Sequence, residues 1–258
     1  MAHAGDRKVV LVNGATGGIG SAIVQELARD YEVVMLGRNQ GRLDARAAEA
    51  AAAGLTVHQR VVDLSSAAAV EDVIAQIGFS LGGIYGIVHA AGDGPVAGVG
   101  DASDRAWQTT LDGKLLSAVR LLRAATPHLR DGGRVVLVNG SFHKTPHPMF
   151  VVGSAVNAAL AAFGKAAATD LGRRGVRVTV LDPGAVNTPL WTQTAEQLAA
   201  HSETTAEVVN RQIADSTPLG GLTTPGEVAE VVRFLLSQAG SRIAGTAITV
   251  DGGACATL

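Results

Sequence analysis

The sequence predicts a doubly wound α/β fold in three layers, a parallel sheet of seven strands with helices on both faces. Two observations predict it. Seven apolar runs of strand length recur along the chain, and they are continuous rather than alternating with polar residues, as strands buried on both faces require. Helical segments separate most of these runs, so the strands are joined by crossovers rather than hairpins.

"KVVLVNG" (8–14) reads as the first strand and residues 18–30 as the helix after it. "EVVML" (32–36) is the second strand, followed by a helix over 40–53. "TVHQRVVDL" (56–64) is the third, with a helix over 67–77, and "IYGIVHAAG" (84–92) is the fourth. A long helix over 103–129 follows, which Pro127 can break by removing a backbone donor. "GRVVLVNGS" (133–141) is the fifth strand. The alanine-rich "FVVGSAVNAALAAFGKAAATDLG" (150–172) is then a helix, alanine being the best helix former. "VRVTVLDPG" (176–184) and "GTAITVDGG" (245–253) complete the set. No repeat or low-complexity linker intervenes, so residues 1–258 are expected to form a single domain. The long polar segment 187–218 is the candidate lid. In such a sheet, ligands bind beyond the C-terminal strand ends.

Composition narrows the function. A net charge of −2 offers no electrostatic footprint for nucleic acid or an anionic membrane. No apolar stretch is read as approaching the roughly 20 residues of a spanning helix, and residues 1–6 lack a basic segment leading into an apolar run. With Cys255 as the single cysteine, no disulfide framework can form, which suits a reducing cytoplasm. The expected partner is a small molecule.

"NGATGGIG" (13–20) links the first strand to the first helix. Gly14 permits the tight turn, Gly18 lets backbone approach a pyrophosphate, and Gly20 lets helix pack on strand. With Thr16 and Ile19 they form the candidate phosphate cradle, facing free N–H groups at the helix start. The second strand ends in "MLGRN" (35–39), with Gly37 and Arg38 where a carboxylate would bind a ribose 2′-hydroxyl. The Arg38 guanidinium can pair with a 2′-phosphate, which favours NADP(H) over NAD(H). His143 and His147 have HxxxH spacing, but Pro146 and Pro148 disfavour the helix that would align them, so no metal is expected.

"NGATGGIG", "VVDL" (61–64), "HAAG" (89–92), "NGS" (139–141), "LDPGAVNTPL" (181–190) and "GTAITVDGG" occur in order across nearly the whole chain. Together they resemble the short-chain dehydrogenase/reductase family, and imply its Rossmann-like fold. The resemblance implies that Asp63 and Leu64 meet the adenine, and that Ala90, Ala91 and Gly92 line the nicotinamide ribose. Pro183, Gly184, Val186 and Thr188 would hold the carboxamide and pyrophosphate, and Ser141 would polarise a substrate carbonyl. Two fingerprints differ: Asn13 replaces the usual Thr, and His89 and Ala90 stand where Asn is usual.

The resemblance breaks at the catalytic pair. The family uses a tyrosine hydroxyl as proton donor and a lysine four residues later on the same helix face. Those positions align with Gly153 and Asn157. The only tyrosines, Tyr31 and Tyr85, begin their strands, and Tyr85 lies roughly 20 Å from the Gly92 turn at about 3.3 Å per strand residue. Lys114 occupies a position where the family usually has asparagine, so lysine and asparagine read as exchanged between neighbouring helices. Lys114 could return positive charge to the pocket; the alternative is a surface lysine with a snorkelling stem. His143 lies two residues past Ser141, so in an extended chain both point the same way, and His143 could give a proton near neutral pH. A substrate loop without proton transfer fits those residues as well. Phe150, seven residues before Asn157, stands where some enoyl reductases carry their tyrosine, and adds apolar wall.

The leading expectation is an atypical NADP(H)-dependent oxidoreductase acting on a carbonyl, alcohol or enone, with catalytic candidates Ser141, His143 and Lys114 and with Asn157 on the cofactor. A cyclase, isomerase or dehydratase on the same scaffold is one alternative. An inactive NADP(H)-binding sensor or partner subunit is the other. The resemblance also implies a homodimer or homotetramer paired through helices 103–129 and 154–171.

Overall fold

The computed structural model describes residues 7–255, so the leader expectation for residues 1–6 lies outside them. The sheet is β1 (Val9–Asn13), β2 (Glu32–Gly37), β3 (Val57–Val61), β4 (Ile84–His89), β5 (Leu129–Val138), β6 (Arg177–Pro183) and β7 (Ala247–Val250). Its order is β3-β2-β1-β4-β5-β6-β7, with every pairing parallel. The strand order reverses between β1 and β4, which opens a crevice at their C-terminal ends.

The strands are apolar throughout because both faces are covered. Along β1, Val9 and Leu11 join the core on one side and Val10 and Val12 the core on the other. The first core takes in α3 (Ala67–Ser80), α5 (Ser117–Ala125) and α6 (Val151–Leu171). The second takes in α1 (Gly18–Leu27), α2 (Gln40–Ala52) and α9 (Pro225–Leu236). Helix starts carry their sequence signals. Asn39, Ser66 and Ser103 each accept a backbone N–H, and Thr224 forms a capping box with Glu227. Helix α1, like α6 after Phe150, starts without a side-chain cap. The N-cap of α1 is Gly17, and its first turn borders the cavity described below.

The helix expected over 103–129 is divided. Helix α4 (Asp104–Thr110) runs into a π-helical turn, Leu111–Leu116, then α5, and a 3-10 turn at Thr126–His128 carries Pro127. Strand β5 therefore starts at Leu129, paired with Ile84 before a register shift, rather than at residue 133. The polar segment 187–218 holds two helices, α7 (Pro189–His201) and α8 (Ala206–Ser216). They close on Ala195, Ala199 and Val209, and Trp191 Nε1 donates to Asn210 Oδ1 at 2.7 Å.

One sequence expectation is corrected. The helical stretch Val151–Arg174 is long and apolar enough to cross a membrane by length and composition. In this fold it lies on the sheet, with Leu160 and Leu171 in the core. Gly164 allows the close approach, since a Cβ there would sit 2.5 Å from Val180 Cγ2.

Candidate active site

A cavity of about 1120 Å³ opens at the C-terminal strand ends beneath α7 and α8. Gly14, Thr16, Gly18, Ile19 and Gly20 form one wall, and Ala90, Ala91 and Gly92 a second. Pro183, Gly184, Val186 and Thr188 form the third, and Lys114, Ser141 and Asn157 lie within it. Residues spread over the whole sequence are thus brought to one edge because every β-strand ends there.

The turns are built for close backbone approach. Gly14 has φ +76, and a Cβ there would collide with the Ala90 carbonyl. Gly92 has φ +94, and its Cβ would stand 2.5 Å from Lys114 Cβ. A side chain at either would overlap those neighbouring chain segments and would have to adopt the left-handed region that glycine takes freely. Gly18 lacks a side chain for a reason the sequence hides: a Cβ there would meet Thr188 Cγ2 at 2.6 Å. Two buried acceptors, Asn157 Oδ1 and Asn139 Oδ1, have no hydrogen-bond partner among the described residues. Asn157 and Asn139 both border the cavity. A glycine cradle at an uncapped helix start, with acceptors for hydroxyls, fits a nicotinamide dinucleotide.

Lys114 is not a surface lysine. It sits in the π-helical turn, 7% exposed, and its Nζ donates to the Asn139 carbonyl at 2.9 Å. Burial pushes its pKa down to about 8, against the pull of the Asp93 and Asp182 charges. The fingerprint departures Asn13 and His89 meet each other. Asn13 Nδ2 donates to His89 Nδ1 at 3.0 Å, and His89 Nε2 lies 3.0 Å from the Lys114 carbonyl. Full burial pushes His89 down to about 4, so it is a neutral strut behind the lysine.

His143 does not border the cavity. Residues 141–143 form a 3-10 turn rather than extended chain, so residues two apart face different ways. Its Nε2 lies 2.6 Å from Asp182 Oδ2, a carboxyl with no exposure. Asp182 Oδ1 accepts from Asn139 Nδ2 at 3.0 Å, and Lys144 Nζ stands 3.4 Å from Oδ2. Asp182 therefore ties the end of β6 to the loop after Ser141. An acidic residue inside a buried apolar strand was the signal for it, since such a charge needs partners. His147 borders the cavity instead, with Phe142 and Phe150 against its ring. Neither tyrosine borders it, and Tyr85 Oη donates to the Leu236 carbonyl at 2.8 Å.

The three residues expected on the adenine side lie at the rim of this edge rather than in the cavity wall. Leu64 is a core side chain, because a leucine next to Val62 is drawn into the same apolar cluster. Arg38 and Asp63 follow the neighbouring strands β2 and β3 but stand outside the cavity wall, where Arg42 and Arg46 appear instead. Asp63 is held below the usual carboxylate range, first by the Ser65 backbone N–H and also by the Arg38 and Arg120 charges. Arg42 Nη2 donates to the Thr16 carbonyl at 3.1 Å, so it braces the cradle.

A sequence profile of the family described as Enoyl-(Acyl carrier protein) reductase matches residues 14–255. D-beta-hydroxybutyrate dehydrogenase from Cupriavidus necator is 30% identical over 251 residues, covering 95% of this chain and 97% of that protein. L-sorbose reductase from Gluconobacter frateurii, solved with NADPH and L-sorbose, superposes with a TM-score of 0.89 at 29% identity, covering 98% of each chain. A variant of actinorhodin polyketide ketoreductase with NADPH gives 0.93 at 27% identity, covering 99% of this chain and 100% of that one. With this sheet order and this glycine cradle, the chain belongs to the short-chain dehydrogenase/reductase family of oxidoreductases.

Proposed function

We propose that this protein is an NADP(H)-dependent reductase or dehydrogenase of a carbonyl, alcohol or enone small molecule, in which Gly153 and Asn157 stand where the family keeps tyrosine and lysine. The observation that carries this reading is the buried Lys114 ammonium side chain in the cavity, hydrogen-bonded to the Asn139 carbonyl.

The glycine turn and the α1 start bind the phosphates through backbone N–H groups. Asn157 Oδ1 takes a ribose hydroxyl hydrogen, and Lys114 supplies the positive charge from the neighbouring helix. Bound there, the reduced nicotinamide supplies a hydride. Ser141, at the cavity edge, orients the substrate carbonyl, and α7 and α8 exclude water around it. Positioning of this kind lowers the barrier without a tyrosine, whose acid–base role contributes roughly 10²–10⁴-fold. The same reading includes a homodimer or homotetramer through α4, α5 and α6, to be checked by the mass in solution.

Titrating the protein with NADPH while following nicotinamide fluorescence tests the reading first, and absence of binding defeats it. Loss of NADPH absorbance across a panel of ketones, 3-oxo esters and enones then tests turnover. A second reading draws on the lack of any tyrosine at the cavity: a nucleotide-binding sensor or a non-redox enzyme. Binding with no turnover in either redox direction favours it, and Ser141→Ala separates its two forms, since only an enzyme loses a reaction.

A further inference from the structure

We propose that His147 donates the hydrogen bond and proton to the substrate carbonyl oxygen through Nε2–H, in the space next to Gly153. This rests on the reductase reading above. It assigns the missing acid to a residue other than Ser141, His143 or Lys114.

Four observations carry it. His147 borders the same cavity as Ser141, Lys114 and Gly153, whereas His143 is turned onto Asp182. The backbone of His147 is pinned on either side of Gly153: its carbonyl accepts from Phe150 N–H at 2.9 Å, and its N–H donates to Ser154 Oγ at 3.4 Å. The ring is fixed by Phe150, edge-on at 5.4 Å between centroids, and by Phe142 at 6.0 Å. Finally, Nδ1 accepts the Met149 N–H at 3.2 Å. A neutral imidazole whose Nδ1 is an acceptor carries its proton on Nε2, so the ring is a donor there. Partial burial lowers its pKa, which supports the neutral form.

Gly153 makes room for this. A Cβ at Gly153 would find Phe150 Cβ, at 4.0 Å, as its nearest neighbour. No side chain of residue 153 stands between the His147 ring and the cavity. A neutral imidazole held by a backbone N–H on Nδ1 is the arrangement triosephosphate isomerase uses to polarise a carbonyl.

In the step, the carbonyl carbon takes the hydride at the expense of nicotinamide oxidation. The C=O π pair becomes a lone pair on oxygen, and that oxygen takes the Nε2 proton. The imidazole regains a proton at Nε2 from solvent, which reaches it because His147 is exposed at the cavity mouth.

The test uses the full chain labelled with ¹⁵N-histidine, with NADP⁺ and with ethyl acetoacetate as the carbonyl probe. The expected ring spectrum of His147 is the Nε2–H tautomer from pH 7 to 9, and an Nδ1–H tautomer overturns the proposal. With NADPH, His147→Ala is expected to lower kcat/KM by roughly 10²-fold while leaving the NADPH Kd unchanged. His147→Gln, which keeps an N–H donor, should recover part of that loss. Equal turnover by wild type and His147→Ala overturns the proposal. If wild type turns over no carbonyl, the reductase reading fails, and the C=O stretch of bound ethyl acetoacetate decides the donor role. A shift to lower frequency that His147→Ala abolishes supports the donor; the same stretch in both proteins removes it.

Discussion

Asn13 Nδ2 and His89 Nδ1 meet at 3.0 Å, so two departures from the family's fingerprints form one hydrogen bond between β1 and β4. The pair then reaches Lys114 through the His89 Nε2 contact with its carbonyl. Asn13→Ala leaves a fully buried ring nitrogen without its donor, and is expected to cost about 1–3 kcal/mol in urea unfolding.

The same histidine predicts acid sensitivity. Its pKa lies near 4 in the fold against 6.5 ordinarily, because burial disfavours the charged ring. Between those values the unfolded chain binds the extra proton, so this stabilisation is full above pH 6.5 and declines toward pH 4. Thermal melts should fall over that window, and His89→Asn should flatten the part due to this residue.

Lys114 acts at the other end of the pH scale. Its pKa lies near 8 in the fold and at 10.5 ordinarily, since burial disfavours the ammonium. The unfolded chain therefore binds more protons between those values, and stability rises with pH from about 8 to 10.5. Below 8 the burial penalty is fully present. If the charge holds the cofactor, NADPH affinity falls as pH rises through 8, and Lys114→Met removes that dependence. Fluorescence titration from pH 6.5 to 9.5 measures both.

Asp182 is a completely buried carboxyl with His143 at 2.6 Å, Lys144 at 3.4 Å and Asn139 at 3.0 Å. Asp182→Ala removes the carboxylate from the His143 ring, whereas Lys144 Nζ keeps the Ala247 carbonyl and Thr249 Oγ1 and Asn139 Nδ2 keeps the Asn157 carbonyl, so the expected loss is about 3 kcal/mol, the lower end for breaking a buried pair. Proteolysis within residues 141–149 should speed up as the loop loses its anchor.

Cofactor choice separates the arginines. Arg38→Ala should weaken NADPH binding by roughly tenfold or more and leave NADH unchanged, if its guanidinium meets the 2′-phosphate. Arg42→Ala, which removes the brace on the Thr16 carbonyl, should weaken both cofactors together. Equal loss of NADPH and NADH in Arg38→Ala rejects the assignment.

By itself the sequence determined the strand order of appearance, the parallel class, the glycine turn and the segments that converge on one sheet edge. Those features rest on local chemistry: apolar runs, helix caps, and glycines at φ +76 and +94. It also raised the question at Gly153 and Asn157. Tertiary structure alone decided the side-chain partnerships. Lys114 reads equally as a snorkelling surface lysine until the π-helical turn carries it against Asn139. His143 reads as facing the substrate until a 3-10 turn replaces extended chain and sends it to Asp182, leaving His147 at the cavity. Leu64 and Arg38 likewise follow their strands as expected, but packing draws the leucine into the core and the arginine stays on the surface. The physical reason is common to all four. Helix and strand periodicity is set within a few residues, whereas a side chain's direction at a strand end depends on the loop conformation and on partners far along the chain.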